Sequence, residues 1–119
     1  MVVDSLAQAD ADRVFHALAD ATRRDILVRV IHEEQSVSAL ARHYPMSFAA
    51  VQKHVAVLER AALVTKRRRG REQVVYADPT LLGRAARMLD GYERLWRHRA
   101  RGIEQLLAEE AEEREGNQS

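Results

Sequence analysis

The sequence predicts a mainly α-helical chain carrying one small β-hairpin. Three observations lead there. Apolar residues recur at helical spacing in several short segments before residue 62. A β-prone stretch then folds back around Arg69-Gly70-Arg71. After Asp78-Pro79 the helical period resumes and runs almost to the end.

The elements follow in order. Between Leu6 and Ala19, Val14, Phe15 and Leu18 give a short amphipathic first helix. Asp20 suits the N-cap of a second helix, where Ile26, Leu27, Val30 and Ile31 form the core stripe. Val37 is then expected as a brief extended residue, with Ser38 capping a third helix that turns Leu40 and Ala41 inward. Pro45 stops it, because the residue before a proline is driven out of the helical region. Ser47 caps the fourth helix, which reaches about Ala61. Val51, Val55, Leu58 and Ala62 stand on one buried stripe, and Ala49, Gln52, Lys53, Ala56 and Arg60 form a small, polar opposite face.

Leu63–Arg68 and Glu72–Ala77 read as two strands, with Gly70 supplying the positive φ of a tight turn. Asp78 then caps the last helix and Pro79 takes its first position, where a missing N–H costs nothing. From Pro79 to about Ala111 this helix measures about 50 Å at 1.5 Å per residue, too long to lie on so small a core. Its apolar register, Leu82, Ala85, Leu89, Tyr92, Trp96, Ile103 and Leu106, alternates spacings of three and four and is broken only at Arg99. That is the seam of a dimer. A single domain over 1–111 and a disordered acidic tail over 112–119 complete the expected organisation.

Composition narrows the function. A chain of 119 residues with 31% charged residues folds as one small globule without needing a metal or disulfide. It has no cysteine, which removes thiolate metal sites, disulfides and cysteine nucleophiles. The N-terminal MVVDSLAQADADR lacks the basic start and apolar run of a signal peptide, and no stretch is apolar enough for a membrane helix, so a cytoplasmic protein without membrane contact is expected. A phosphate loop, a nucleophile elbow and a His-Glu-x-x-His zinc motif are all missing, so no enzyme is expected. Asp12 and His16 share a helix face, but a surface hydrogen bond explains them better than a metal. His32, His43 and His98 have no ligand-like spacing, and His54 reads as a packed, hydrogen-bonded residue.

The charge, although only +1 in sum, is segregated. Arg60, Lys66, Arg67, Arg68, Arg69 and Arg71 occur without an intervening acid, whereas Glu109–Glu115 holds five glutamates and one arginine. HYPMS between the third and fourth helices has the length of a helix-turn-helix turn. In such motifs the second helix enters the major groove of duplex DNA by its N-terminal residues, here Ser47, Phe48, Ala49, Gln52 and Lys53. Gln52 can pair bidentately with adenine, Lys53 can reach guanine or a phosphate, and Ala49 or Phe48 can touch a thymine methyl. The arginine hairpin follows at once, and its planar forks suit phosphates or a minor groove. Together they describe a winged helix-turn-helix.

On these residues the chain resembles the ArsR/SmtB family of bacterial transcriptional repressors. The segments are ALADATRRDIL (17–27), SVSALA (36–41) and MSFAAVQKHVAVLERAALVTKRRRGREQVVY (46–76), within a match over about residues 12–107. Ser47, Val51, His54, Val55 and Leu58 fit the family's recognition-helix pattern, with Gln52 where serine is common. The resemblance implies a homodimeric repressor on a pseudo-palindromic operator, joined through its first and last helices. Val14, Phe15, Leu18, Leu89, Tyr92, Trp96, Ile103 and Leu106 are the candidate interface. The metal-sensing cysteine box is missing from Val37–Ala41, and Asp90, Tyr92, His98 and Glu104 do not reproduce the family's other metal set. No metal or cofactor is therefore expected, and the chain is nearer the cysteine-free members, whose last helix carries the Tyr-x-x-x-Trp pattern seen at Tyr92 and Trp96. The effector, if any, is unknown. Two alternatives stand beside this reading: a dimeric protein-interaction module of the same fold, and a regulator gated by a small apolar ligand near Phe15, Tyr92 and Trp96.

Overall fold

The computed structural model describes residues 6–117. Its elements are α1 (Gln8–Leu18), α2 (Ala21–His32), β1 (Gln35–Ser36), α3 (Val37–Ala41), α4 (Phe48–Arg60), β2 (Val64–Arg69), β3 (Glu72–Ala77) and α5 (Pro79–Gly116). They fall into two compact units, one ending at Ala86 and the other beginning at Arg87 inside the last helix.

In the first unit, side-chain caps set where the helices begin. The first N–H groups of a helix have no intrahelical acceptor. Asp20 accepts from the Arg23 N–H at 3.0 Å, Ser47 from Ala50 at 3.1 Å and Asp78 from Thr80 at 3.0 Å. The third cap differs from expectation. Ser36 accepts from Ala39 at 3.0 Å, so Val37 is helical and buried and Ser38 lies exposed inside the helix. The reason is tertiary: Gln35 and Ser36 pair with Val75 and Val74 as a short third strand, which fixes the point where extended chain gives way to helix. Each serine cap stabilises its helix by about 1 kcal/mol.

The far end of α1 is closed by two arginines of α2. Arg23 donates from Nε to the Ala17 carbonyl at 2.8 Å and from Nη2 to that of His16 at 2.9 Å, while Arg24 reaches the Leu18 carbonyl at 2.7 Å. These carbonyls lie in the last turn, where i+4 partners run out and the helix dipole favours cations; that of His16 also accepts the Ala19 N–H at 3.2 Å. Ile26, Leu27 and Val30 are buried, but Ile31 is 53% exposed and leaves the expected stripe. It stands one residue past Val30, hence about 100° around the helix, and opens onto a surface groove.

Val51, Val55 and Leu58 are fully buried along α4. Ala62 lies beyond the helix with φ of 56°, and its N–H donates to the Glu59 carbonyl while that of Leu63 donates to Leu58. This is a Schellman closure, with buried Leu58 and Leu63 supplying its apolar contact. It takes Leu63 out of the first hairpin strand. The hairpin pairs Val64↔Ala77 through Arg69↔Glu72, so its tip is the two-residue Gly70-Arg71, with Gly70 at φ 63°. The sheet order is β1-β3-β2, all antiparallel.

In the second unit the last helix runs to Gly116, five residues past Ala111, so most of the expected tail is helical; Gln118 and Ser119 lie outside the described residues. Its surface carries i,i+4 pairs, Asp90–Arg94 at 3.0 Å, Glu93–Arg97, and Glu110–Arg114 at 3.7 Å. Each has the acid on the N-terminal side, the favourable order. Among the described residues no helix is long and apolar enough to cross a membrane.

Candidate nucleic-acid interface

The turn between α3 and α4 is tied to α2. The Tyr44 hydroxyl donates to Asp25 Oδ2 at 2.6 Å, Arg29 Nε donates to the same oxygen at 2.8 Å, and the Arg29 guanidinium lies over the Tyr44 ring at 5.8 Å. Hydrogen bonds from Tyr44 and then Arg29 hold the Asp25 carboxyl below its usual range. Burial, reinforced by the bond to Asp25, pushes the Tyr44 hydroxyl up to about 12. Tyr44 was not legible as a site residue, because nothing in sequence links it to Asp25.

From this turn α4 presents its first two turns outward. Phe48 is 47% exposed, and Ala49, Gln52 and Lys53 are exposed beside it. Among the described residues nothing hydrogen-bonds the Gln52 amide or the Lys53 ammonium. Ser47 accepts the cap bond on one lone pair and keeps its hydroxyl proton to donate. The helix N-terminus adds the positive end of its dipole. His54 points the other way: its Nδ1 lies 3.4 Å from Arg23 Nη1 and 3.9 Å from Asp20 Oδ2. That is the packed, hydrogen-bonded histidine expected.

The wing cations are not equivalent. Strand alternation puts Arg67 and Arg69 on one face of β2, and Lys66 and Arg68 on the other. Lys66 Nζ is 3.5 Å from Glu59 Oε1 at the end of α4, an acid just outside the basic run that the sequence reading passed over. Arg68 is held by the Gly70 carbonyl at 3.2 Å and Arg69 by the Tyr76 hydroxyl at 3.0 Å. Arg67 and Arg71 have no such restraint among the described residues. Arg60 is not part of the wing: it lines a cleft with Arg13, His16 and Val57. Arg60 ends the 13-residue α4, about 18 Å along the helix from Phe48.

The candidate dimer residues divide too. Val14 is fully buried in the core of the first unit and cannot meet a partner, because α1 turns it towards the interior; Phe15 and Leu18 are half-buried. Leu89, Tyr92, Trp96, Ile103 and Leu106 are between 40% and 67% exposed in the isolated chain. An apolar cavity of about 360 Å³ is lined by Leu27, Ile31, Leu63, Ala77, Asp78, Pro79 and Leu82, and Phe15 is not among them. Among the described residues no three histidine or carboxylate side chains gather to hold a metal ion.

Four packed helices, two of them a helix-turn-helix, and a β-hairpin wing in a three-stranded sheet define the winged helix-turn-helix class. No family model matches the chain. The HTH-type transcriptional regulator Rv2034 of Mycobacterium tuberculosis is 41% identical over 102 residues, which cover 86% of this chain and 92% of that protein. An ArsR-like transcriptional regulator from Rhodococcus sp. RHA1 is 35% identical with a TM-score of 0.74, over 83% of this chain and 91% of that one. The homodimeric winged helix-turn-helix DNA-binding domain Mb0332 from Mycobacterium bovis shares the fold at 22% identity and a TM-score of 0.59, over 79% of this chain and 94% of that one. The chain belongs to the ArsR family of winged helix-turn-helix transcriptional regulators.

Proposed function

We propose that the protein is a DNA-binding repressor that works as a homodimer on a pseudo-palindromic operator. In this reading Ser47, Phe48, Ala49, Gln52 and Lys53 enter the major groove, and Lys66, Arg67, Arg68, Arg69 and Arg71 grip the flanking backbone. The observation that carries it is the exposed Gln52–Lys53 pair on the first turns of a capped helix, without partners among the described residues, followed by a cationic hairpin. Base edges specify and phosphate contacts position. The exposed apolar stripe Leu89–Leu106 supports dimerisation through α5, as does the homodimeric fold neighbour. A dimer sets two reading helices for half-sites about one helical turn apart. The cytoplasm is the proposed location. The interaction-module alternative is not favoured, since relatives over nearly the whole chain are transcriptional regulators.

The test is fluorescence anisotropy of the full chain on labelled duplex from directly upstream of its own gene, against a scrambled duplex, at two salt concentrations. Binding that survives scrambled competitor supports a sequence-specific, autoregulating repressor. Equal, salt-sensitive binding to both duplexes, repeated on a library of random operators, would overturn base reading by α4.

A further inference from the structure

We infer that Arg13, His16 and Arg60 form a second site, one that binds a phosphate-class oxyanion between α1 and α4. The cleft they line with Val57 has a volume of about 160 Å³. That is well below the roughly 300–1,000 Å³ of pockets that take drug-sized ligands, and it matches a single phosphoryl group. Two arginines from different helices line it, and no acidic residue is among the lining residues. Arg13 Nη1 donates to Asp10 Oδ1 at 3.1 Å, which steadies the fork and leaves its other donors available. Arg60 has no hydrogen-bond or ion-pair partner among the described residues. The His16 carbonyl is engaged by Arg23, and His16 is among the residues that line the cleft.

Asp10 offsets part of the Arg13 charge from outside the cleft, Arg60 is left uncompensated among the described residues, and a lining without acids focuses the field on an anion that enters. Arginine forks match tetrahedral oxyanions bidentately, and Val57 is the one apolar residue of the lining. Arg60 lies about 10 Å along α4 past Lys53, two turns beyond the proposed reading residues. The same chemistry has two sources, a phosphodiester of the DNA backbone or a free phosphate that tunes the regulator.

The experiment uses the full chain, Arg13→Gln and Arg60→Gln, and Arg97→Gln as a control that removes the same charge from α5. Arg13→Lys and Arg60→Lys, which keep the charge and lose the fork, stand in if a glutamine variant does not fold. Inorganic phosphate is titrated by calorimetry and by NMR of the Arg13 and Arg60 Nε–H and His16 ring signals. DNA binding is measured as a salt series. For a free anion, phosphate saturates the wild type and binds about tenfold more weakly to each cleft variant. For the DNA backbone, phosphate does not saturate, and the slope of log affinity against log salt becomes shallower by about 0.9 per protomer in both cleft variants. The inference is overturned if both readouts are unchanged in the cleft variants, or if Arg97→Gln has the same effect as they do. The phosphate titration needs no operator, so its outcome is independent of base reading by Gln52.

Discussion

Arg67 and Lys66 are neighbours in one basic run, yet the structure gives them different electrostatic work. Arg67 is exposed and unrestrained on the outer face of β2, while Lys66 already shares its charge with Glu59 at 3.5 Å and has a side chain only 30% exposed. Each phosphate neutralised by a protein cation contributes about −0.9 to the slope of log affinity against log salt. Arg67→Ala should therefore make the slope shallower by about 0.9 per protomer, or about 1.8 in a dimer. Between 50 and 200 mM salt, a fourfold change, the advantage of the wild type over Arg67→Ala should then shrink by about 12-fold. Lys66→Ala should move the slope by less than half as much, because its cation must leave or share Glu59 to meet a phosphate. Glu59→Gln should act in the opposite sense, freeing Lys66 and steepening the slope. Anisotropy at several salt concentrations, on operator and scrambled duplexes, reads all three. Equal slope changes for Arg67→Ala and Lys66→Ala would refute the pairing argument. A loss for Arg67→Ala confined to the operator would refute its role as a backbone contact.

Four other perturbations probe separate parts of the molecule. Gln52→Ala should cost about 1–3 kcal/mol on the operator and flatten preference at one base pair, as measured by single-pair operator substitutions. Tyr44→Phe should cost about 1 kcal/mol in chemical denaturation near neutrality, since its bond to a carboxylate is partly solvated. Because folding raises the Tyr44 pKa from 10.0 to about 12, its contribution is complete below pH 10 and fades as pH rises through 12; wild type should thus lose stability faster than Tyr44→Phe over that window. Ala62→Gly should raise stability by about 0.5–1 kcal/mol, relieving a left-handed alanine, and thermal unfolding should move upward by a few degrees. Trp96→Ala, at a position 67% exposed in the isolated chain, should shift the protein towards monomer in sedimentation velocity.

Features fixed by short-range chemistry were legible in the sequence. Asp20, Ser47 and Asp78 cap where their side chains can reach the third or second N–H ahead, and Gly70 turns where a positive φ is needed. Features settled by tertiary choice were not. Ser36 and Ser38 are equally able to cap, and only the pairing of Gln35 and Ser36 with β3 selects the first. Val14 and Ile31 are both apolar at helical spacing, but one is fully buried and the other 53% exposed, a difference made by which face the neighbouring helices cover. The glutamate run reads as a repelling tail, yet Glu110 has Arg114 one turn ahead and glutamate propagates helix well.

The candidate site divides along the same line, for a physical reason. Residues that meet a partner molecule have no structural task in the free chain, so Gln52 and Lys53 stand out in sequence as polar side chains on the unburied face of a helix. Residues that aim them are invisible there, because their contacts span the chain: Tyr44 reaches back nineteen residues to Asp25. Reading one base edge requires the helix to be held within about half an ångström and 10–20°. The Ser47 cap fixes the first turn of α4, and the Tyr44–Asp25–Arg29 cluster fixes the turn that leads into it. Losing the cluster should therefore reduce discrimination between operator and scrambled DNA more than it reduces affinity for scrambled DNA. That separates an aiming residue from a merely stabilising one, whose loss would lower both by the folded fraction alone.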